Sequence, residues 1–215
     1  MAVDLLAPQD LATDEAPYPA PPWRLRGEAV IVPVPVRTQA ARAFLPDGLE
    51  LVSAAGRTAG GVLLARYGDG ATLGYDELIV FAGAVRAGGR RGMWVSHIYV
   101  DLPASVAGGR RIWGLPKELA EFGWRPRAVS VHGLLEARIS RAPVKAPVPL
   151  RPSTFGRRDG RFVWTGTKGT LRAAPSLVRL SVPGDSPFKA LGLDGTWPAV
   201  AGDRLDLPFP AAIPV

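Results

Sequence analysis

Cysteine is absent from the 215-residue sequence, so the chain has neither a disulfide nor a thiolate nucleophile. The two histidines, His97 and His132, have no His-x-His spacing and make a poor metal site. No apolar run approaches the length of a membrane span. The first residues also lack the basic start and long apolar core of a signal peptide. These absences predict a cytoplasmic protein with no bound metal and no membrane contact.

Lysine is scarce, although the formal net charge is +7 and the pI about 10.3. The arginines are spread along the chain, with short pairs at Arg90-Arg91, Arg110-Arg111 and Arg157-Arg158, and no basic tail or aromatic-rich motif accompanies them. This distribution predicts a solvated surface and no nucleic-acid partner. An electrostatic groove for an anionic substrate or an acidic carrier protein is the alternative interpretation.

Glycine and proline are abundant, at 25 and 22 residues. Because both residues interrupt regular secondary structure, this content favours many short strands joined by turns over long helices. The length predicts a single domain over residues 23–215. Residues 1–22, rich in proline, alanine and aspartate and without periodicity, are predicted to form an N-terminal arm lying across the surface or across a partner subunit.

Alternation of apolar and polar residues predicts several strands. One covers residues 23–36, where the prolines favour a sheet edge. Residues 75–85 and 93–100 are predicted to form a long hairpin. Helix is the minor component, so the fold class is mainly β. A strongly curved sheet or closed barrel is the natural way to remove so many strand edges.

A short helix is predicted to begin at Pro103 and run through Ala107, because proline suits a first helical turn and Gly108-Gly109 follows as a stop signal. A strand from Leu115 to Trp124 is predicted next. The strand carries Lys117, the residue that attracts most attention.

Lys117 follows a proline and has apolar neighbours on both sides, and the chain has only three other lysines, at positions 145, 168 and 189. A lysine desolvated among apolar side chains loses its proton more easily, because burial disfavours the charged form. The neutral amine can condense with a carbonyl group to form a Schiff base. We therefore predict that Lys117 is catalytic; the alternative is a surface lysine at a turn, with its stem lying on Trp113.

Glu77 is the second catalytic candidate. On a strand of period two it shares a face with Tyr75 and Ile79. A carboxylate on an apolar strand is costly unless it has a partner. Glu77 is thus predicted to lie near the amine, where it binds substrate polar groups or shuttles a proton. The alternative is a strand-end glutamate in water.

Several motifs together resemble the acetoacetate decarboxylase superfamily, whose namesake enzyme is itself the standard example of a lysine activated by its surroundings. The matching residues are Gly109-Arg110-Arg111, Trp113, Pro116-Lys117-Glu118-Leu119 and, upstream, Tyr75-Asp76-Glu77. Weaker similarity covers residues 37–50 and 203–208, so the likeness spans most of the chain.

The resemblance implies a curved, double-layered β-barrel and a Schiff-base lyase that acts on an oxo acid or other carbonyl compound. Relatives include decarboxylases and aldolase-dehydratases, some in natural-product pathways. No cofactor is implied, since the protonated imine is itself the electron sink, and a homo-oligomer is expected. The alternative is a non-catalytic ligand-binding or pathway-accessory protein that keeps the barrel.

The chain also departs from the family pattern. Glu118 stands where many members have a second lysine. Glu28 stands where the decarboxylases have an arginine, and Gly60-Gly61-Val62 stands where they have a second glutamate. These departures predict poor decarboxylation of acetoacetate. The residues predicted to bind substrate are Tyr75, Trp113, Arg26 and His97.

Overall fold

A computed structural model describes residues 14–215. Most of the predicted N-terminal arm, residues 1–13, lies outside the described residues. The described remainder contacts the chain's own surface, because Arg110 donates a hydrogen bond to Asp14 at 2.8 Å and the Trp23 indole donates one to the Pro19 carbonyl at 2.8 Å. Contact of the arm with a partner subunit, and the homo-oligomer itself, remain predictions.

The described chain is built mainly from strands, as predicted. They are β1 (Trp23–Arg37), β2 (Glu50–Leu51), β3 (Arg57–Tyr67), β4 (Asp76–Ala87), β5 (Arg90–Val100), β6 (Lys117–Leu119), β7 (Phe122–Arg125), β8 (Ala128–Val131), β9 (Leu135–Arg141), β10 (Ala146–Leu150), β11 (Ser153–Arg158), β12 (Arg161–Gly166), β13 (Gly169–Ser181), β14 (Gly195–Phe209) and β15 (Ile213–Pro214). The helices are α1 (Thr38–Arg42) and α2 (Pro103–Trp113), with a 3₁₀ turn at Lys189–Leu191. Within residues 14–215, neither helix is long and apolar enough to cross a membrane.

All fifteen strands belong to one sheet, in the order β15-β12-β11-β5-β4-β3-β1-β14-β13-β9-β8-β7, with β2, β6 and β10 joined to its sides. Neighbouring strands are antiparallel, except that β5 pairs in parallel with β6 and β11. Register shifts in β1, β4 and β13 increase the local twist and bend the sheet. The predicted curved sheet is confirmed, and its hydrogen-bonded path has two ends.

The edge position predicted for the first strand is half right. Over Trp23–Arg26, β1 pairs with β14 alone, and over Gly27–Ile31 it lies inside the sheet between β3 and β14. Beyond Ile31 it pairs with β3 alone, and its two strand prolines, Pro33 and Pro35, lie in that portion. A proline lacks the N–H that a second neighbour would need, so the prolines stand where only one neighbour is paired.

The hairpin of β4 and β5 is present, with Gly88 and Gly89 at its turn in left-handed backbone conformations (φ +52° and +73°). The predicted end of α2 is wrong. The helix continues through Gly108 and Gly109 to Trp113 and ends at Gly114, whose φ is +60°. The two helical glycines serve packing, since a Cβ on Gly108 would lie 2.5 Å from the Trp23 ring.

Candidate active site

A buried ion pair joins two neighbouring parts of the sheet. Lys117 is the first residue of β6 and pairs with Ile98 of β5, while Glu77 of β4 pairs with Val100 of the same strand. The ammonium Nζ of Lys117 lies 2.7 Å from Glu77 Oε1, although 40 residues separate the two in sequence. Each residue is only 3% exposed. The structure therefore brings both predicted catalytic residues together.

Two hydroxyl groups complete the surroundings of the Lys117 ammonium. It donates hydrogen bonds to Ser105 Oγ at 2.9 Å and to the Tyr75 hydroxyl at 3.4 Å, and it lies 4.9 Å from the centre of the Tyr75 ring. Helix α2 supplies Ser105, which is fully buried. The same helix leaves room for the lysine stem at Gly109, where a Cβ would lie 2.4 Å from Lys117 Cδ.

Tyr67, at the end of β3, holds the other carboxylate oxygen. Its hydroxyl donates a hydrogen bond to Glu77 Oε2 at 2.8 Å. Burial raises the pKa of Tyr67 and of Tyr75 well above the usual value, and the nearby Glu77 carboxylate raises both further. Both phenols therefore keep their protons, so Tyr67 stays a hydrogen-bond donor to Glu77.

The ion pair lies in the wall of a cavity of about 460 Å³. Alternation along the strand before and within β4 places Tyr75, Glu77 and Ile79 on this cavity, as the period-two pattern predicted. Trp113 lies in the wall as well. Most of the remaining lining is apolar and includes Leu25, Val62, Leu63, Phe81, Val95, Leu115, Leu205, Leu207 and Phe209. A carbonyl group entering the cavity would thus meet Lys117 in apolar surroundings.

Two predicted substrate-binding residues lie elsewhere, which corrects the prediction. Arg26 is outside the lining and forms a surface salt bridge with Asp206 at 2.9 Å, which Asp206 shares with Arg24 at 2.7 Å. His97 lies between Phe44 and Phe188, with ring centroids 5.4 and 5.6 Å away. Successive residues of β5 face opposite sides of the sheet. Ile98, which follows His97, therefore lines the cavity, and His97 does not. Burial lowers the pKa of His97.

The salt bridge between Arg26 and Asp206 leads to a prediction about the stability of the protein at acidic pH. The hydrogen-bonded guanidinium groups of Arg24 and Arg26 hold the pKa of Asp206 well below its usual range. A depressed carboxyl pKa contributes stability that is present above its unfolded value, near 4, and is lost as the pH falls. We expect Asp206→Asn to lower the melting temperature at pH 7 and to flatten its decline between about pH 4 and 2.

Thermal melts from pH 7 to 2 measure this effect, with the exposed Asp69→Asn as the matched control. A decline of unchanged steepness in Asp206→Asn would contradict the role given to the Arg24–Arg26–Asp206 cluster.

At Gly60 and Gly61, two of the three positions where a second acid is missing, a side chain has no room. Gly61 has a φ of +131°, and a Cβ there would lie 2.0 Å from the Val32 carbonyl oxygen. A Cβ on Gly60, which lines the cavity, would lie 2.7 Å from the Phe81 carbonyl oxygen. Neither position accepts a glutamate. Among the described lining residues, Glu77 is consequently the only carboxylate.

Four polar residues escaped the sequence interpretation: Tyr67, Arg151 and Thr154 line the cavity, and Ser105 contacts Lys117. Tyr67 ends a strand just before a glycine-containing turn, a position that also suits a surface tyrosine. Ser105 is a single hydroxyl in a helix, and Arg151 lies in a proline-rich connector. None carries a local signal, because each reaches the site only through the packing of distant segments.

The fold and the site together define a class: a single curved β-sheet that holds a lysine ion pair in an apolar cavity. The sequence pattern of the acetoacetate decarboxylase family matches residues 7–145. The chain belongs to this family.

Plant proteins are similar over about half of the chain. Protein NEOXANTHIN-DEFICIENT 1 of Oryza sativa subsp. japonica is 40% identical over 102 residues, which is 47% of this chain and 34% of the plant protein. Its Arabidopsis thaliana counterpart is 37% identical over 112 residues, or 52% of this chain and 40% of that protein. The matched segments thus cover well under half of these relatives.

Solved structures share the fold over nearly the whole chain. An acetoacetate decarboxylase-like enzyme from Sphingomonas wittichii RW1 has a TM-score of 0.65 at 16% identity, covering 100% of this chain and 98% of that one. The enduracididine biosynthesis enzyme MppR in complex with pyruvate has a TM-score of 0.63 at 20% identity, covering 93% and 92%. Acetoacetate decarboxylase from Legionella pneumophila has a TM-score of 0.59 at 20% identity, covering 100% and 98%.

Proposed function

We propose that the protein is a Schiff-base-forming lyase that acts on an oxo acid or other carbonyl compound through Lys117. The observation that carries the proposal is the Lys117–Glu77 pair, 2.7 Å apart and buried in the wall of an apolar cavity. Membership of the acetoacetate decarboxylase family supports a lyase at a coarse level. Decarboxylation and aldol or dehydration chemistry are both compatible with the same imine.

Glu77 provides the base that the buried Lys117 needs in order to lose a proton. The ammonium form of lysine has no lone pair and cannot attack a carbonyl group until a base removes a proton. When a carbonyl compound displaces water from the cavity, Glu77 accepts the proton and the Lys117 nitrogen attacks the carbonyl carbon. A proton passes from this nitrogen to the new alkoxide oxygen, which gives a neutral carbinolamine. Protonated Glu77 then returns its proton to the hydroxyl group, water leaves, and a protonated imine and the Glu77 carboxylate remain.

The neighbouring hydroxyl groups position this pair. Tyr67 fixes Glu77 through Oε2 and so leaves Oε1 directed at the amine. Ser105 and Tyr75 hold Nζ from two other sides. A nucleophile held in this way attacks from one direction, and orientation of this kind lowers the entropic part of the barrier.

Borohydride trapping tests the proposal. Protein is mixed with pyruvate, acetoacetate or 4-oxopentanoate, reduced, digested and mapped by mass spectrometry. We expect the mass of the reduced adduct on Lys117, whereas Lys145, which is paired with Asp203 outside the cavity, stays unmodified. If Lys117 captures none of these carbonyl compounds, the lyase proposal is wrong.

We further predict that acetoacetate forms the imine but loses carbon dioxide slowly. Decarboxylation requires the carboxylate to be held and oriented relative to the imine. Arg24 and Arg26 are engaged with Asp206 on the surface, and Gly60 and Gly61 exclude an acidic side chain. Each missing charged contact costs about 1.5–3 kcal/mol, a factor of roughly 10–100 in rate.

The reference for this prediction is the Legionella pneumophila acetoacetate decarboxylase, assayed in parallel for carbon dioxide release. A comparable rate from the present protein would show that the substituted positions do not limit decarboxylation.

A non-catalytic ligand-binding protein is the second candidate. It is favoured by the strongly apolar lining, by the single carboxylate and by similarity to plant proteins whose name refers to neoxanthin deficiency. In such a protein the Lys117–Glu77 pair would be a structural contact. Failure of borohydride trapping, together with saturable binding of an apolar carbonyl compound, would favour this candidate.

A further inference from the structure

A second basic residue lines the same cavity and is exposed. Arg151 and Pro152 join β10 to β11, and the segment Pro149–Pro152, which begins in the last residues of β10, lines the cavity throughout. Arg151 is exposed, whereas Lys117 is buried. Within residues 14–215, no salt bridge or side-chain hydrogen bond engages the Arg151 guanidinium. The lining thus contains a buried amine, Lys117, and an exposed arginine, Arg151, and we call the exposed end of the lining at Arg151 the cavity mouth.

The backbone that carries Arg151 is held at both ends. Leu150 pairs with Gly169 of β13, and the Thr167 N–H donates a hydrogen bond to the Pro152 carbonyl at 3.0 Å. Prolines on both sides of Leu150-Arg151 restrict φ, and a residue that precedes proline prefers an extended conformation. A preorganised segment spends less entropy when it binds a ligand. The backbone on both sides of Arg151 is therefore fixed where it lines the cavity.

The charges around the mouth suit an anion. Glu77 is the only acidic residue in the described lining, and it is buried against Lys117. Nothing acidic in the lining therefore neutralises Arg151. A guanidinium offers two parallel N–H donors that match a carboxylate. Because it remains partly in water, it can bind such a group without a large desolvation cost.

We propose that Arg151 binds the carboxylate of an oxo acid whose carbonyl group and carboxylate are separated by an apolar chain. This substrate class rests on the proposed function, since the carbonyl group is the one that reaches Lys117. A ligand that touches both groups spans from the buried end of the cavity to its mouth across apolar walls. The volume of about 460 Å³ equals roughly 15 water-sized volumes at about 30 Å³ each, more than a short oxo acid fills.

Calorimetric binding of octanoate tests the role of Arg151 without any imine chemistry, because octanoate has no carbonyl group apart from its carboxylate. We expect octanoate to bind more tightly than 1-octanol, and Arg151→Gln to weaken octanoate about three- to tenfold while leaving 1-octanol unchanged. Arg161→Gln, which removes an exposed arginine outside the cavity lining, serves as the matched control and should bind octanoate like the wild type.

Borohydride trapping then extends the test to substrates. 7-Oxooctanoate should label Lys117 at lower concentration than pyruvate or methyl 7-oxooctanoate, and Arg151→Gln should remove the advantage over the methyl ester. Octanoate that binds no better than 1-octanol, or equally well to Arg151→Gln, would overturn the inference. Absence of labelling by every carbonyl compound, with Arg151-dependent octanoate binding intact, would instead refute the lyase proposal and leave the carboxylate site standing.

Discussion

Lys117→Met is expected to abolish the borohydride-trapped adduct and to lower the free energy of unfolding by about 3–5 kcal/mol. The first effect follows because no other lysine lies in the described cavity lining. The second follows because Glu77, 3% exposed, would lose its counter-charge. Removal of one member of a buried pair leaves an uncompensated charge, whereas removal of both members is far less costly.

Urea unfolding of Lys117→Met, Glu77→Gln and the double variant separates these contributions. The double variant should recover much of the stability that either single variant loses. Arg86→Met is the control, because Arg86 and Glu50 form an exposed pair, and such pairs contribute about 0.2–1 kcal/mol. If an adduct persists in Lys117→Met, the nucleophile is another residue. If the free energy of unfolding is unchanged, Lys117 and Glu77 are not a buried charge pair.

Gly109→Ala is expected to slow adduct formation by about 100-fold while the protein stays folded, since a displacement of about 1 Å can cost that factor in rate. The new Cβ would lie 2.4 Å from Cδ and 2.7 Å from Cε of Lys117, so the lysine stem has to move. Alanine favours the helix over glycine by up to about 1 kcal/mol, which offsets part of a packing cost of about 1–3 kcal/mol.

A double-mutant cycle distinguishes this steric effect from a general disturbance of helix α2. In a Lys117→Ala background the clash disappears, so Gly109→Ala should stabilise the protein, whereas in the wild-type background it should destabilise it or leave it unchanged. The same sign and size in both backgrounds would show that Gly109 does not make room for the Lys117 stem.

The ion pair changes the explanation of the lysine's reactivity. Apolar neighbours in the sequence suggested that desolvation alone would free the amine of its proton. In the structure, Lys117 forms an ion pair with Glu77, and Tyr67 and Ser105 hold both partners in place. Reactivity then depends on proton transfer inside the pair, which begins when a substrate replaces water in the cavity. The proposed catalytic role of Glu77 is thus a consequence of its distance from the amine.

Patterns among neighbouring residues were sufficient to predict part of the fold and part of the site. Proline content and period-two alternation determined a mainly β chain, and the same alternation placed Tyr75, Glu77 and Ile79 on one face. The apolar flanks of Lys117 and its place after a proline marked it as the residue to examine. All of these are properties of neighbouring residues, so they can be read without knowledge of the tertiary structure.

Tertiary structure decided how close Glu77 comes to the amine and which further groups surround it. The pairing of β4 with β5, and of β5 with β6, brings Glu77 to Lys117. On β5 the side chain of His97 lies on the face opposite the cavity, against Phe44. Ser105 and Arg151 arrive from a helix and a connector that share no sequence pattern with the strands. Such contacts depend on strand register and on the packing of distant segments, and a shift of one residue reverses the face on which a side chain lies.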